Sequence, residues 1–186
     1  MLSLMMFSRV PPHAPPLEPP MRIQEQTHEH EAQIDALTRA AFGGDGEAEL
    51  VARLHADGLV RLSLVALDEA GRVVGHALFT ALEVQVDGRE VDALCLAPVS
   101  VLPSQQRRGV GGQLIRAGLA RLAEAGFEAV VVLGHADYYP RFGFDPALAS
   151  KLAAPFSGEC FMALELRPGA LAGERGSVTY PSAFGL

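Results

Sequence analysis

Residues 99–114 read Val99-Ser100-Val101-Leu102-Pro103-Ser104-Gln105-Gln106-Arg107-Arg108-Gly109-Val110-Gly111-Gly112-Gln113-Leu114. In this stretch an apolar, strand-like run ends at a proline, polar and basic residues follow, and a helical pattern begins after a Gly-x-Gly-Gly turn. The first N–H groups of a helix have no intrahelical acceptor, and the helix dipole places partial positive charge at the same end. The glycines let a phosphate approach the backbone without a side chain in the way. The stretch therefore predicts an anion-binding site between a strand and a helix.

Two common phosphate-binding motifs do not fit this stretch. A P-loop requires Lys-Ser or Lys-Thr after its glycines, and neither is present here. A dinucleotide-binding turn requires Gly-x-Gly-x-x-Gly, and the third glycine is in the wrong place for it. The pattern Gln/Arg-x-x-Gly-x-Gly/Ala does fit, with Gln106, Gly109 and Gly111 at its fixed positions and Val101 and Pro103 upstream.

The residues after the turn complete a strand, loop, helix and strand unit. Apolar residues continue at helical spacing to a natural helix stop at Gly126. The β-branched run at residues 127–133 predicts a strand that is buried on both faces. Residues 137–144 then read Asp-Tyr-Tyr-Pro-Arg-Phe-Gly-Phe. The order predicts a right-handed crossover followed by a short helix and a glycine turn.

These motifs resemble the acyl-coenzyme A loop and the following turn of the GNAT N-acetyltransferases, over roughly residues 21–166. The sequence of residues 134–144 is similar to the corresponding sequence in a YhbS-like group of predicted bacterial acetyltransferases. The resemblance implies an α/β (α+β) fold, in which helices flank a mixed central β-sheet and the strand before the acyl-CoA loop splays from its neighbour in a V. It implies acetyl transfer from acetyl-CoA to a primary amine of a small molecule or peptide, with no metal.

The resemblance also implies roles for individual residues. The loop backbone holds the pyrophosphate, the strand before the loop pairs with the pantetheine arm, and Pro98 suits a bulge in that strand. Tyr139, four residues before Gly143, takes the position of the acid that protonates the leaving thiolate. The implied coenzyme-binding residues are Val99, Ser100, Val101, Gln106, Arg107, Arg108, Gly109, Val110, Gly111, Gly112, Tyr139 and Phe142.

The group that deprotonates the amine is left open. Many GNAT members carry a glutamate in the middle of the strand before the loop, whereas this strand offers Asp92 and Cys95. The candidates for the base are Glu83, His76, His135 or a chain of water molecules. Because this glutamate is missing, an alternative function stays open, in which the protein binds acyl-CoA without catalysis and acts as a sensor or interaction module. Acylation of a protein N-terminus or lysine is a third interpretation.

Composition and charge narrow the class of protein. A length of 186 residues indicates one domain, and the net charge of −7 argues against a nucleic-acid partner. No apolar run of about 18 residues is present, so no membrane partner is expected. Cys95 and Cys160 lie in apolar runs, which predicts buried free thiols in a reducing, cytoplasmic compartment. His28 and His30 resemble a metal cluster only superficially, and a solvated helix start is expected there. A homodimer is left open.

Three segments are expected along the chain: a disordered, proline-rich leader over residues 1–20, the acetyltransferase domain over residues 21–166, and a tail over residues 167–186 that packs on the domain. The start of foldable sequence suggests Met21 as the biological start. Asp87-Gly88 predicts a hairpin turn. The pattern predicts helices at 29–42 and 46–56, strands at 62–67, 73–86 with a break near Thr80, 91–102 and 159–166, and a strand or irregular segment at 145–155.

Overall fold

Runs of aliphatic and β-branched residues form the strands of two sheets in the computed structural model, which describes residues 21–186. The predicted leader, residues 1–20, lies outside the described residues. The strands are β1 (Arg22–Glu25), β2 (Val60–Leu67), β3 (Val73–Ala81), β4 (Glu83–Val86), β5 (Arg89–Val91), β6 (Ala93–Val101), β7 (Ala129–Leu133), β8 (Leu152–Ala153), β9 (Phe161–Glu165) and β10 (Gly176–Thr179). The α-helices are α1 (Glu31–Phe42), α2 (Gly46–Ala56), α3 (Val110–Glu124) and α4 (Pro146–Ala149).

The main sheet has six strands in the order β1-β2-β3-β6-β7-β9, and the second has four in the order β5-β4-β10-β8. In the main sheet β6 and β7 run parallel, because α3 connects them, and the other neighbours are antiparallel. Helices flank this mixed sheet, which confirms the predicted α/β class.

Strand β6 separates from β7 part-way along its length. The parallel ladder joins Ala93 to Ala129 and ends where Cys95 meets Val131, although β6 continues to Val101 along β3. The register between β3 and β6 shifts opposite Pro98, between the pairs that Ala77 and Phe79 make. The predicted splay and bulge are therefore both present, and the backbone of β6 beyond Cys95 has one edge that β7 does not cover.

The two faces of the main sheet are covered differently. On one face α3 packs closely against the sheet at Gly118, where the Phe79 ring lies so near that a Cβ would overlap it. On the other face α1 and α2 cover β2 and β3 through residues such as Leu37 and Leu54. The second sheet covers β6, β7 and β9 on that same face, with Val84 and Val178 among the buried side chains.

The strands around the second sheet differ from the prediction. The long strand expected at 73–86 ends at Ala81, and its continuation, β4, joins the second sheet. The strand expected at 91–102 is interrupted at Asp92, whose N–H donates to the Glu128 carboxylate at 2.9 Å while its carbonyl accepts from the Glu128 N–H at 2.8 Å. These two bonds replace the continuous ladder.

Other segments were predicted incompletely. Strand β1 was not predicted, and residues 145–155 contain the short helix α4 before β8. Asp145 starts α4, because its carboxylate accepts from the Ala147 N–H at 2.7 Å and Pro146 follows it. Cys95 is buried as predicted, but Cys160 is exposed, and the prediction of a second buried thiol is wrong. Cys160 lies before the first residue of β9, where the chain has not yet entered the sheet.

The last residues of the chain pack against the rest of the molecule. Strand β10 pairs with β4 and β8, and the Arg53 guanidinium donates to the Ala183 carbonyl at 3.0 Å. Among residues 21–186, no helix is long and apolar enough to span a membrane, and no cluster of side chains suits a metal ion. His28 is exposed as expected, whereas His30 is buried and accepts from the Thr27 N–H at 3.0 Å.

Candidate active site

The turn before α3 presents a set of backbone N–H groups. Gly109 has a φ of 79°, which is the left-handed conformation that glycine adopts without strain. Arg107 also has a positive φ, of 60°, so the loop turns tightly before the helix. The first bond within α3 runs from the Gln113 N–H to the Gly109 carbonyl at 2.9 Å. The N–H groups of residues 110–112 precede that bond and point out of the positive end of the helix dipole.

A cleft of about 950 Å³ opens in front of these groups. Its walls are the inner edge of β6, the loop at residues 105–112, and the segment at residues 135–142 that follows β7. The end of α1 closes it with Ala41 and Phe42. The cleft therefore lies at the end of the β6–β7 ladder, where open α/β sheets bind ligands.

Two glycines keep the floor of the cleft open. A Cβ at Gly111 would lie 3.0 Å from the Tyr138 hydroxyl oxygen and 3.5 Å from the Val101 side chain. A Cβ at Gly112 would lie 3.3 Å from an Arg116 guanidinium nitrogen and 3.5 Å from the Phe142 ring. Larger residues at either position would fill the space above the N–H groups. The backbone here fits an anionic group that approaches closely.

The side chains of β6 alternate between the cleft and the opposite face. Val99 and Val101 line the cleft. Ser100 is fully buried on the other face, where its hydroxyl lies 3.3 Å from the Thr38 hydroxyl. Its side chain therefore does not reach the cleft, because alternate residues of a strand point to opposite faces. A coenzyme role for Ser100 is restricted to its backbone.

The side chains of the two basic residues of the loop, Arg107 and Arg108, point in different directions. Arg107 lines the cleft together with Gln106, whose side-chain amide donates to the Val101 carbonyl at 3.2 Å. Arg108 turns away from the cleft toward a second depression, and its guanidinium donates to the Gln105 side chain at 3.2 Å. Neighbouring residues in an irregular loop point in different directions, so the side chain of Arg108 is not brought to the predicted site.

Tyr139 lies in a short 3-10 helix, Tyr139–Phe142, and lines the cleft. Its ring packs edge-on against Phe144 at 5.7 Å between centroids, and a Cβ at Gly134 would overlap the ring. Burial, with smaller contributions from Tyr138 and Cys95, raises the pKa of Tyr139 to about 12. The hydroxyl is therefore protonated at neutral pH, and the packing around the ring restricts its movement.

Residues 22–147 match the acetyltransferase (GNAT) domain family. The chain belongs to the GNAT acetyltransferase family. This confirms the family that the loop, the crossover and the Gly-Phe turn predicted, and it makes the protein an acyltransferase.

Two bacterial proteins illustrate the similarity. The chain is 39% identical over 153 residues to the uncharacterized N-acetyltransferase YhbS of Escherichia coli strain K12, covering 81% of this chain and 90% of YhbS. The crystal structure of Escherichia coli YhbS in complex with CoA superposes with a TM-score of 0.82 at 36% identity, covering 94% of this chain and 96% of that chain. A GNAT family acetyltransferase from Brucella melitensis in complex with acetyl-CoA gives a TM-score of 0.72 at 37% identity, over 88% and 97% of the two chains.

The three side chains suggested as bases occupy different parts of this GNAT fold. His135 lines the cleft and is exposed to solvent. His76 is fully buried on the opposite face and bonds the Ser63 hydroxyl at 2.9 Å, and burial lowers its pKa to about 3. Glu83 is exposed at the start of β4 and does not line the cleft. Of the three, His135 alone shares the cleft with Tyr139.

Two arginines of the GNAT cleft were not among the residues predicted from the sequence. Arg116 and Arg141 both line the cleft, together with Tyr138. The Arg116 guanidinium lies 5.1 Å from the centroid of the Phe142 ring, and that of Arg141 lies 4.6 Å from the Tyr138 centroid. Arg116 follows Gly112 by four residues on a helix, and such pairs share a helix face, so its spacing carried a usable signal. Arg141 carried no comparable signal.

Proposed function

We propose that the protein is an acetyl-CoA-dependent N-acetyltransferase that acetylates a primary amine of a small molecule or peptide. The observation that carries the proposal is a single cleft in which three features meet. These are the free N–H groups at the start of α3, the uncovered edge of β6, and the protonated hydroxyl of Tyr139. Each feature supplies one requirement of acetyl transfer from a thioester.

The coenzyme is proposed to bind along two backbone segments. Its pyrophosphate accepts hydrogen bonds from the N–H groups of residues 110–112, with Arg107 adding charge. Its pantetheine arm pairs with the edge of β6 between Val99 and Val101, where β7 has separated. The open floor at Gly111 and the CoA and acetyl-CoA complexes of the two related proteins support this arrangement.

The chemistry follows from that pose. The amine nitrogen attacks the carbonyl carbon of the thioester, and a backbone N–H near Val99 stabilises the developing oxyanion, a contribution typically worth ~3 kcal/mol. The C–S bond then breaks, and the sulfur takes the proton of the Tyr139 hydroxyl. His135 takes the proton that the amine loses, because it is the candidate base that shares the cleft.

The relatives give no support to a catalytically silent module, since each is described as an acetyltransferase. The two free thiols fit a cytoplasmic site of action. The net charge of −7 fits a cationic acceptor. The acceptor is proposed to be a small molecule or a peptide amine.

The proposal is tested by incubating the protein with acetyl-CoA and a panel of amines and peptides, with acetylated products detected by mass spectrometry. With the best acceptor, Tyr139→Phe is expected to lower kcat by on the order of 100-fold while the Kd for acetyl-CoA stays unchanged. His135→Gln is expected to lower kcat by on the order of 100-fold. His28→Gln is its matched control, because His28 is exposed and does not line the cleft. Unchanged kcat in Tyr139→Phe would contradict the proposed acid.

A further inference from the structure

The gap between β6 and β7 begins at Cys95, where the ladder between the two strands ends opposite Val131. The Cys95 side chain packs with the second sheet, on the face opposite α3. The pyrophosphate is proposed to lie after Val101, so the pantetheine arm runs back along β6 and carries the thioester toward Cys95. The thiol also contributes to the raised pKa of Tyr139, so it lies near the hydroxyl that is proposed to protonate the leaving sulfur.

Two hydroxyl groups lie beside the Cys95 thiol on that face. Thr80 is the register partner of Cys95 between β3 and β6, and the Cβ atoms of such partners are about 5 Å apart on one side of the sheet. Tyr180 follows β10 and packs in the same cluster as Cys95, with its hydroxyl next to the thiol. The two hydroxyls and the thiol therefore form one polar cluster at the start of the gap.

Both hydroxyls of this cluster are buried without a partner. The Thr80 side chain is fully buried, and the Tyr180 oxygen is closed to solvent. In the part of the chain that the structure describes, neither oxygen has a hydrogen-bond partner. The Thr38 hydroxyl, on the same face, is instead satisfied by Ser100 at 3.3 Å. Because buried polar atoms nearly always have a partner, two unsatisfied hydroxyls beside one thiol indicate a position for a bound polar group.

The cluster is uncharged at neutral pH. Burial raises the pKa of the Cys95 thiol to about 12, and it also raises the pKa of the Tyr180 hydroxyl. Neutral hydroxyl oxygens accept hydrogen bonds from an uncharged amine, but in a buried place they give an ammonium group no counter-charge. The uncharged amine is the form that attacks a thioester. The cluster therefore suits the acceptor nitrogen in its reactive form.

The surroundings of the Tyr180 ring are apolar. The ring meets Phe156 at 5.4 Å and Phe184 at 5.1 Å between centroids, edge-on in both cases. All three rings are partly buried, and Leu82 and Ala97 are partly buried in the same cluster. A molecule whose nitrogen lies at the two hydroxyls would place its remaining atoms against apolar and aromatic side chains.

We propose that Thr80 and Tyr180 hold the acceptor amine at the gap between β6 and β7, and that Phe156 and Phe184 contact an apolar body that carries this amine. The inference rests on the proposed function, because it takes acetyl-CoA as the occupant of the cleft on the α3 face. The hydroxyl oxygens accept the N–H hydrogens of the amine, which leaves the nitrogen lone pair for the thioester carbonyl. Tyr180 lies outside residues 22–147, which match the family, so the choice of acceptor depends in part on the C-terminal segment.

The test compares two primary amines, phenethylamine and ethanolamine, as acceptors of the acetyl group from acetyl-CoA. The intact protein is expected to show a kcat/KM for phenethylamine on the order of tenfold higher, because the ring meets apolar side chains. In the double variant Thr80→Val/Tyr180→Phe, the KM for phenethylamine is expected to rise on the order of tenfold. The Kd for acetyl-CoA is expected to stay unchanged.

Stability separates this role from a structural one. Thr80→Val and Tyr180→Phe remove hydroxyls that have no partner, so the urea midpoint of unfolding is expected to stay the same or to rise. Thr38→Val is the matched control, because it removes a partnered hydroxyl on the same face. It is expected to lower the urea midpoint and to leave the KM for phenethylamine unchanged.

The outcomes distinguish this inference from the proposed function. Acetylation of phenethylamine with an unchanged KM in the double variant would overturn the inference and leave the proposed function standing, since the two hydroxyls would then hold a water molecule only. A lower urea midpoint in the double variant would also overturn the inference, as would a preference for ethanolamine. No acetylation of any amine or peptide would overturn both.

Discussion

On the α3 face of the main sheet, backbone N–H groups and guanidiniums point into an open cleft, whereas two pairs of polar side chains on the opposite face are buried and bonded to one another. The opposite face holds the pairs Ser63–His76 at 2.9 Å and Thr38–Ser100 at 3.3 Å. Strand β6 contributes to both faces by alternation. The comparison teaches that a polar residue next to the acyl-CoA loop need not serve the ligand, because the face to which it points decides whether it meets the cleft or the core.

The most damaging change is expected where α3 meets the sheet. Gly118→Val puts a branched side chain into the ring of Phe79, and overpacking of a core typically costs 1–3 kcal/mol or more, so about 3 kcal/mol is expected here. Because α3 carries the N–H groups of the cleft, coenzyme affinity is expected to fall as well. Urea unfolding and calorimetry measure the two effects.

Ala120→Val is the matched control for that substitution, since Ala120 is exposed on the same helix. It introduces the same valine side chain on the exposed face of α3, where its only expected cost is the lower helix propensity of valine relative to alanine. A stability loss in Ala120→Val as large as that in Gly118→Val would contradict close packing as the cause.

The alternation of β6 is tested by a pair of neighbours. Ser100→Ala leaves the buried Thr38 hydroxyl without its partner, so the free energy of unfolding is expected to fall by about 1–2 kcal/mol while the Kd for acetyl-CoA stays unchanged. Val101→Ala is expected to weaken acetyl-CoA binding, because Val101 lines the cleft. Weaker binding in Ser100→Ala with unchanged binding in Val101→Ala would reverse the assignment of faces.

The tyrosines offer a spectroscopic test that needs no substitution. Burial raises the pKa of each of the three, Tyr138, Tyr139 and Tyr180. Because an unfolded chain loses these protons near pH ~10 and the native protein holds them, stability is expected to fall between about pH 10 and about pH 12. The chain has no tryptophan, so tyrosinate absorbance follows the titration directly. Ionisation of a tyrosine in the folded protein at pH ~9 would contradict the burial.

Among the predicted changes in stability, the smallest is expected for a substitution of Asp87, at the edge of the second sheet. The Asp87 carboxylate accepts from the N–H groups of Glu174 and Arg175, each at 3.0 Å, and these bonds hold its pKa below the usual range. A lowered pKa means that the bonds stabilise the folded state above about pH 4 and that this stability is lost on further acidification. Asp87→Asn is expected to lower the melting temperature slightly at about pH 7, and the difference from the parent protein is expected to be smaller at about pH 3. An equal difference at both pH values would contradict a role for the charge.

The acyl-CoA loop and the crossover were predictable because their signals are local. A glycine such as Gly109 acts on its own backbone, and the apolar period of α3 is read within fifteen residues. The second sheet was not predictable in the same way, because β10 pairs with β4 and β8 from distant parts of the chain. Its pairing leaves no pattern in any single stretch. The cap of α4 at Asp145-Pro146 was a local signal that the prediction did not use.

The residues of the candidate site also differ in whether local sequence or long-range contacts determine their positions. The backbone positions of the loop follow from the spacing of its glycines, and Tyr139 follows from the resemblance to the GNAT family. The structure brings both to one cleft. Side-chain direction in irregular segments depends on tertiary contacts, which explains why Arg108 points away while Arg141 reaches the cleft. The orientation of Ser100 follows strand alternation, but the face that it meets depends on how α1 packs.

The most direct test of the central claim is a calorimetric titration with acetyl-CoA of the intact protein, Gly111→Gln and Gly46→Gln. Gly46 begins α2 with no atom near its Cβ position, so it is the matched control, and circular dichroism verifies that each variant is folded. We predict binding on the order of micromolar for the intact protein and the control, and no detectable binding for Gly111→Gln. No binding to the intact protein, or equal binding to Gly111→Gln, would contradict the account.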